Sequence, residues 1–329
     1  MSSISVLFIG GTGKISSACV RHCLERGDEV AVLNRQQTAT RPLPNEVRHY
    51  HADIEDGAAV REALGAAHFD CVVDVTIREP RRVPGAIDLF ADRADQFIFI
   101  SSASAYQKPV ARLPIVESTP LVNPFWEYSR NKIACEELFM TAHRQDGFPV
   151  TIVRPSHTYD RTGVPFDGGW TVIERLRANK PVVVHGDGSS LWVLTHHDDF
   201  ARAFVHLVAN PRTIGDSFHI TSHEVLTWDA INRTFAAAAG VADPHLVHVP
   251  SEVIATALPW GPQLLGDKTH SVIFDNSKIR ALAPNWQAMV PLAQGAREVV
   301  EWFDADPARR SFDPVVDKAF DDLIARFGI

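Results

Sequence analysis

Short unbroken apolar runs alternate with segments of helical spacing through the first half of the chain. Ser5–Ile9 is apolar and stops at glycines, as a covered strand does, and Val30–Leu33, Val47–His51, Cys71–Val75, Phe97–Ile100 and Val150–Val153 repeat that texture. Runs that do not alternate apolar with polar predict strands packed on both faces. Between them lie helical patterns. Lys14–Glu25 carries Ile15, Ala18, Cys19, His22 and Cys23 on one face and ends at Arg26-Gly27, a glycine stop. Further helices are predicted near Ala58–Ala66, Pro84–Arg93 and Tyr128–His143. The alternation predicts an α/β fold, a Rossmann-like doubly wound parallel sheet with right-handed crossovers.

After Arg154-Pro155 the pattern changes. Residues 156–195 are rich in Gly, Pro and His, with one helix near Thr171–Ala178, and Asp198–Val208 reads as a helix returning to the sheet, with Asp198 as its N-cap. Helices follow at Trp228–Ala239, Gly295–Phe303 and Val315–Phe327. The expected organisation is a dinucleotide-binding domain over 1–155, rejoined by 196–220, and a smaller mixed lobe over 156–329 that takes the substrate.

Composition narrows the class. A length of 329 residues with 45% hydrophobic and 22% charged positions is ordinary for a folded domain. The net charge of −8 and the lack of a basic stripe argue against a nucleic-acid partner. No run approaches the apolar length of a membrane helix, and the N-terminal segment lacks the basic start of a signal peptide. Cys19, Cys23, Cys71 and Cys135 form no CxxC pair and read as reduced core residues, so a cytoplasmic setting is expected.

The chemistry begins where the first strand meets the first helix, at Gly10-Gly11-Thr12-Gly13-Lys14-Ile15-Ser16. Small residues are needed there, because a side chain on the turn would keep a diphosphate away from the N–H groups at the helix start. Ser16 stands where a third glycine is usual. A glycine-rich turn without a ligand is the plain alternative. The second strand ends in Asn34-Arg35 rather than in an acidic residue, so a guanidinium is offered to a 2′-phosphate and NADP is favoured over NAD. A solvated loop arginine is the competing explanation. Asp53, in His51-Ala52-Asp53-Ile54, can accept from an adenine amino group or merely cap the next helix.

Tyr128 and Lys132 lie four apart at the start of a predicted helix and therefore share a face. A free phenol is a poor base at neutral pH, and a nearby ammonium lowers its pKa. Such a residue can then take a proton from an alcohol or give one to a forming alkoxide. A serine at the end of the strand before it, Ser101-Ser102-Ala103-Ser104, can hold the substrate oxygen.

These pieces occur in a fixed order: GGTGKIS, HADIED, SSASAY, YSRNK, VRPSHTYD, then VVVHGDGSSLWVLTHHDDFARA, EVLTWDAI and FDNSKIRALAP. In that order the chain resembles, over nearly its whole length, the extended short-chain dehydrogenases/reductases of the NAD-dependent epimerase/dehydratase family. The resemblance implies an enzyme that passes a hydride between a nicotinamide and a secondary alcohol or carbonyl of a sugar-like or small carbonyl substrate. It assigns Tyr128 as acid/base, Lys132 to the nicotinamide ribose, and Ser102 as catalytic serine with Ser104 as a second hydroxyl. Gly10, Gly11, Thr12, Gly13, Lys14, Ile15, Asn34, Arg35, Asp53, Ile54, Val75, Pro155 and Ser156 fall on the cofactor-binding positions. A homodimer through the helices at 84–93 and 128–143 is implied as well. An epimerase, a dehydratase and a reductase share this set. A non-catalytic relative that binds RNA, or regulates a partner in response to dinucleotide, is the competing class.

The departures are equally informative. Members acting on nucleoside-diphosphate sugars often carry an arginine seven positions before the second Asp of the VDD-like motif, here Asp199, and that place holds Trp192. His157 stands where many have Asn, and Tyr159-Asp160-Arg161 replaces Y-G-P. An indole cannot neutralise phosphate, although it can pack on a ring. Ser104, His157, Tyr159 and Trp192, with Trp170 and His185 nearby, are therefore expected to hold a ring or small ketone without a nucleotide handle. Few cations beyond Arg161 and Arg175 accompany them. Thr195-His196-His197-Asp198-Asp199 has a metal-like composition, but adjacent side chains diverge, and no metal is expected.

Overall fold

A computed structural model describes residues 3–35 and 40–327. The strands are β1 (Ser5–Ile9), β2 (Glu29–Asn34), β3 (Arg48–His51), β4 (Cys71–Asp74), β5 (Phe97–Ile100), β6 (Val150–Pro155), β7 (His157–Tyr159), β8 (Val182–His185), β9 (Leu191–Trp192), β10 (Leu194–His196), β11 (Ser217–Ile220), β12 (Leu226–Thr227) and β13 (Leu246–Val249). Seven of them form one sheet in the order β11-β6-β5-β4-β1-β2-β3, every pair parallel. The chain runs outward from β1 to β3, returns past β1 to β4, and continues the other way. The crevice above β1 and β4, where this reversal occurs, is where such sheets bind ligands.

The helices that cover the sheet are α1 (Lys14–Arg26), α2 (Gly57–Leu64), α3 (Val83–Phe90) and α4 (Glu127–Asp146). They are followed by α5 (Trp170–Arg177), α6 (His197–Phe204) and α7 (Trp228–Ala238). Ala18, Cys19 and Cys23 of α1 pack with Phe200 and Phe204 of α6 on one face, and α2, α3 and α4 bury Leu64, Leu89, Cys135 and Phe139 on the other. Coverage of both faces explains why the strands read as unbroken apolar runs. The glycine stop of α1 is present: Gly27 has φ +95°, and its N–H meets the carbonyls of Cys23 and Leu24.

The position of α4 matters most for the site. Phe139 lies 5.4 Å from Phe97 and 5.0 Å from Phe99, ring centre to ring centre, and all three are fully buried. Each such ring contributes about 1.5–3 kcal/mol through burial. Glu136 of the same helix pairs with Arg154 of β6 at 2.6 Å and receives the hydroxyl of Ser101 at the end of β5. Both charges are buried, so removing either partner would strand the other. The helix is therefore held in register with the ends of β5 and β6.

Residues beyond 155 build a third core around Trp170, Trp192, Trp228, Phe235 and Phe303. Its strands form two-stranded ladders: β7 with β10, β9 with β12, and β8 with β13. The 217–220 segment adds the seventh sheet strand against β6. One local expectation is corrected. His196, not Asp198, caps α6, its ring nitrogen accepting from the Asp198 N–H, while the Asp198 carboxylate is taken by Arg21. Among the described residues no helix is long and apolar enough to cross a membrane.

Candidate active site

The glycine loop is shaped by contacts that leave no room for side chains. Gly10 adopts φ +83°, and a Cβ there would lie 2.6 Å from the Thr76 side chain; a Cβ on Gly11 would lie 2.6 Å from Val32. Ser16 closes the turn where a third glycine is usual. Its buried hydroxyl accepts from the Gly13 N–H and donates to the Gly10 carbonyl, each at 2.9 Å. The serine thus allows close packing and stitches the loop. Burial lowers the pKa of Lys14, while Asp160 acts to keep it charged.

At the far end of β2, Arg35 stands exposed 3.6 Å from Asp53. Asp53 also accepts from the Glu55 N–H, but the cap of α2 is Asp56. Asn34 pairs in register with His51, and Ile54 leans on the α2–α4 face of the sheet. These residues lie at the outer edge of the sheet, apart from the main cleft.

That cleft, about 710 Å³, runs from the glycine loop into the C-terminal lobe. Gly13, Lys14, Ile15, Val75, Pro155 and Ser156 line the end beside the glycine loop, and Ser102, Ser104, Tyr128 and Lys132 stand together in its middle. The Lys132 ammonium donates to the carbonyls of Ile77 (2.6 Å) and Ile100 (2.7 Å) and lies 5.7 Å from the centre of the Tyr128 ring. Burial pushes its pKa down to about 8. The hydroxyls of Ser102, Ser104 and Ser129 form a chain with 2.8 Å links.

The electrostatics of Tyr128 depart from expectation. Burial raises its pKa, so the phenol is protonated in the protein alone. The cation that opposes this is Arg78, ahead of Ser102. Arg78 lines the cleft just past β4 and was not anticipated; one arginine in the Arg78–Arg82 segment carries no motif of its own.

Three further groups escaped sequence reasoning because distant segments assemble them. Buried Asn123 donates to the carbonyls of Ser104 (2.9 Å) and Gly266 (2.7 Å) and accepts from the N–H groups of Phe125 and Trp126. It ties the serine strand end, the start of α4 and the π-helical turn Leu264–Lys268 into one unit. Gly266 must be glycine, since a Cβ would lie 2.6 Å from that of Trp126. The turn places Asp267 in the cleft wall, where burial raises its pKa to about 6 against the pull of Lys108 and Lys268. Lys108 lies behind it, its Nζ buried, 3.9 Å from the carboxylate and without a hydrogen-bond partner. π-helical turns are frequent at functional sites, but this one leaves no sequence pattern.

His157 and Trp192 line the opposite end with Trp126, Val272 and Phe274. Tyr159 does not, and its expected substrate role is withdrawn. It is buried against His196 (5.4 Å between rings) and Gly295, which close over it. Trp170 is likewise core, stacked 4.5 Å from Phe303, and His185 is turned to the Lys268 carbonyl. Arg175 is spent on Asp317 and Asp321, and Arg161 lies on another surface. His196, His197 and Asp198 bring ligand-type atoms within 4.8 Å of one another, yet each is engaged elsewhere: Glu298, the Lys14 carbonyl and Arg21 respectively.

The architecture and cleft define a dinucleotide-fold enzyme, and the residues fit the cofactor: the loop has no room for a Cβ at Gly10 or Gly11, and Lys132 is held beside the phenol. The chain belongs to the NAD dependent epimerase/dehydratase family, whose profile matches residues 6–221. Its relatives are named reductases, epimerases and dehydratases. It is 28% identical over 293 residues to 2′-dehydrokanamycin reductase of Streptomyces kanamyceticus, covering 87% of this chain and 80% of that one. It is 27% identical over 259 residues to the chloroplast stem-loop binding protein of 41 kDa b of Arabidopsis thaliana, covering 75% and 66%. The solved UDP-glucuronic acid 4-epimerase of Bacillus cereus, in complex with UDP-glucuronic acid and NAD, shares the fold with TM-score 0.73 at 18% identity, covering 92% and 99%.

Proposed function

We propose that this enzyme uses NADP(H) to interconvert a secondary alcohol and a carbonyl on a sugar-like or small cyclic substrate that carries no nucleoside diphosphate. The observation that carries the reading is the meeting of the glycine loop, Ser102, Tyr128 and Lys132 in one cleft whose substrate end is walled by Trp192, Trp126 and Phe274.

The nicotinamide, when bound, supplies or takes the hydride. Tyr128 handles the proton. Because burial keeps the phenol protonated, it is poised as an acid, ready to donate to an oxygen that gains negative charge. Ser102 orients that oxygen, and the Ser104–Ser129 hydroxyls hold Ser102. Lys132, fixed on two carbonyls, lies against the Tyr128 ring and would hold the nicotinamide ribose. Asp267 offers an acceptor to substrate hydroxyls. Arg35 is the group that would read a 2′-phosphate.

The reductase relative's name favours a substrate of this kind, whereas the UDP-sugar and dTDP-sugar names among other relatives favour a nucleotide handle. The cleft supports the first: its charged lining residues are Lys14, Arg78, Lys132 and Asp267, and the position of Trp192 offers no cation. A diphosphate calls for cationic clamps. The test is NADPH oxidation with uncharged cyclic ketones, beside thermal stabilisation by UDP and UDP-sugars. Turnover of the ketones without stabilisation by UDP is expected; strong stabilisation by UDP-sugars alone contradicts the reading.

The plant relative is named a stem-loop binding protein, which supports the competing, non-catalytic reading. The net charge of −8 and the complete Ser102–Tyr128–Lys132 set favour catalysis instead. Filter binding with RNA at physiological salt separates the two. The four free buried cysteines support a cytoplasmic setting. A homodimer through α3 and α4, where Leu138 stands exposed, completes the proposal; a monomer mass by light scattering contradicts it.

A further inference from the structure

His157 and Trp192 come from separate two-stranded ladders, β7–β10 and β9–β12, yet meet through a specific contact. The indole Nε1–H of Trp192 donates to Nδ1 of His157 at 3.3 Å, with the rings edge to face at 86°. Trp192 cannot drift from this pose. It is buried, its backbone pairs with Leu226, and its ring lies 5.5 Å from that of Trp228, whose own N–H is fixed on the Lys268 carbonyl.

An indole nitrogen only donates, so the His157 Nδ1 that receives it carries no proton. The single proton of the neutral ring is then on Nε2. Among the described residues Nε2 has no hydrogen-bond partner, and it is not among the buried polar atoms left without one. With His157 lining the cleft, that N–H is presented to whatever binds there. Burial, with Lys268 and Lys14 nearby, drives the His157 pKa well below its ordinary value, so the ring stays neutral at physiological pH.

We infer that His157 is a specificity residue that presents its Nε2–H as an uncharged donor to a neutral oxygen of the substrate ring, and that Trp192 is a positioning residue that locks the tautomer. This rests on the reading of the substrate as lacking a nucleotide. A neutral N–H suits a carbonyl, ether or hydroxyl oxygen, and adds no charge to offset a phosphate. The indole N–H, spent on His157, is not available to the substrate. The two departures from the sugar-nucleotide pattern at 157 and 192 therefore act as one device.

The test begins with long-range proton–nitrogen NMR of ¹⁵N-labelled full-length protein, with His157 assigned by His157→Asn. The expected result is a neutral Nε2–H tautomer at about pH 7, and a tautomer mixture in Trp192→Phe. An Nδ1–H tautomer, or a protonated ring at that pH, overturns the inference whatever the substrate. The second arm measures NADPH-dependent reduction of cyclohexanone and hydroxylated cyclohexanones. His157→Phe should raise KM about 5- to 10-fold with kcat within about threefold. Unchanged KM overturns the inference alone. Stabilisation by UDP-sugars with no ketone turned over overturns the underlying reading, and this inference with it.

Discussion

The two ends of the cleft are built by different means. At the cofactor end the backbone makes the site: Gly10 and Gly11 are set by their closeness to Thr76 and Val32, and Ser16 closes the turn within a few residues of sequence. At the substrate end side chains make it, drawn from residues 104, 126, 157, 192, 267 and 274 and held by one long-range knot at Asn123. A backbone-made site tolerates little change and serves one ligand class. A side-chain-made site can be refitted for new substrates while the chemistry between the two ends stays fixed.

Substitutions on either side of this divide should behave differently. The largest effect is expected at the boundary, in Lys132→Met, which should lower kcat/KM about 100-fold or more and also weaken dinucleotide binding. Burial holds the Lys132 pKa at about 8, below its ordinary 10.5. The ammonium is thus complete below about pH 8 and lost as pH rises through it, so wild-type kcat/KM should decline above that point and the variant should lack this limb. Next is Gly11→Ala on the backbone-made side. Its Cβ would press on Val32 at 2.6 Å, which should cost about 1–3 kcal/mol in thermal or denaturant unfolding and weaken either dinucleotide. Arg35→Asp should weaken NADP about 10-fold more than NAD, read by calorimetry; equal losses would show that Arg35 does not discriminate. The smallest effect belongs to Asp267→Asn. Asp267 is ionised above about pH 6 and protonated below it. An acid limb in wild-type KM near that pH should vanish in the variant, with KM at neutral pH changed about two- to fivefold and dinucleotide affinity unchanged.

The contrast also explains what the sequence could reveal. Strands covered on both faces and a glycine turn are local patterns, so β1 to β6, the loop at 10–16 and the Tyr128–Lys132 pair were legible. The boundaries shifted by a residue or a few: α3 runs over 83–90 rather than 84–93, and α4 extends to 146. What failed were orientation and company. His157 lines the cleft while Tyr159, two residues on and on the same face by strand periodicity, is sealed from it by His196 and Gly295, which come from distant segments. Arg78, Lys108 and Asp267 lie well apart in sequence from the residues they act with, and a pKa raised by burial at Tyr128 cannot be read from a Y-x-x-x-K spacing.

The central claim is that this cleft passes a hydride to a carbonyl while Tyr128 supplies the proton. It is tested most directly by deuterium transfer from C4-deuterated NADPH to a cyclic ketone, in wild type and in Tyr128→Phe. Wild type should yield an alcohol labelled at the carbinol carbon. Tyr128→Phe should bind NADPH with unchanged affinity and transfer the label about 100-fold more slowly or worse. Transfer at an unchanged rate in Tyr128→Phe would contradict the account.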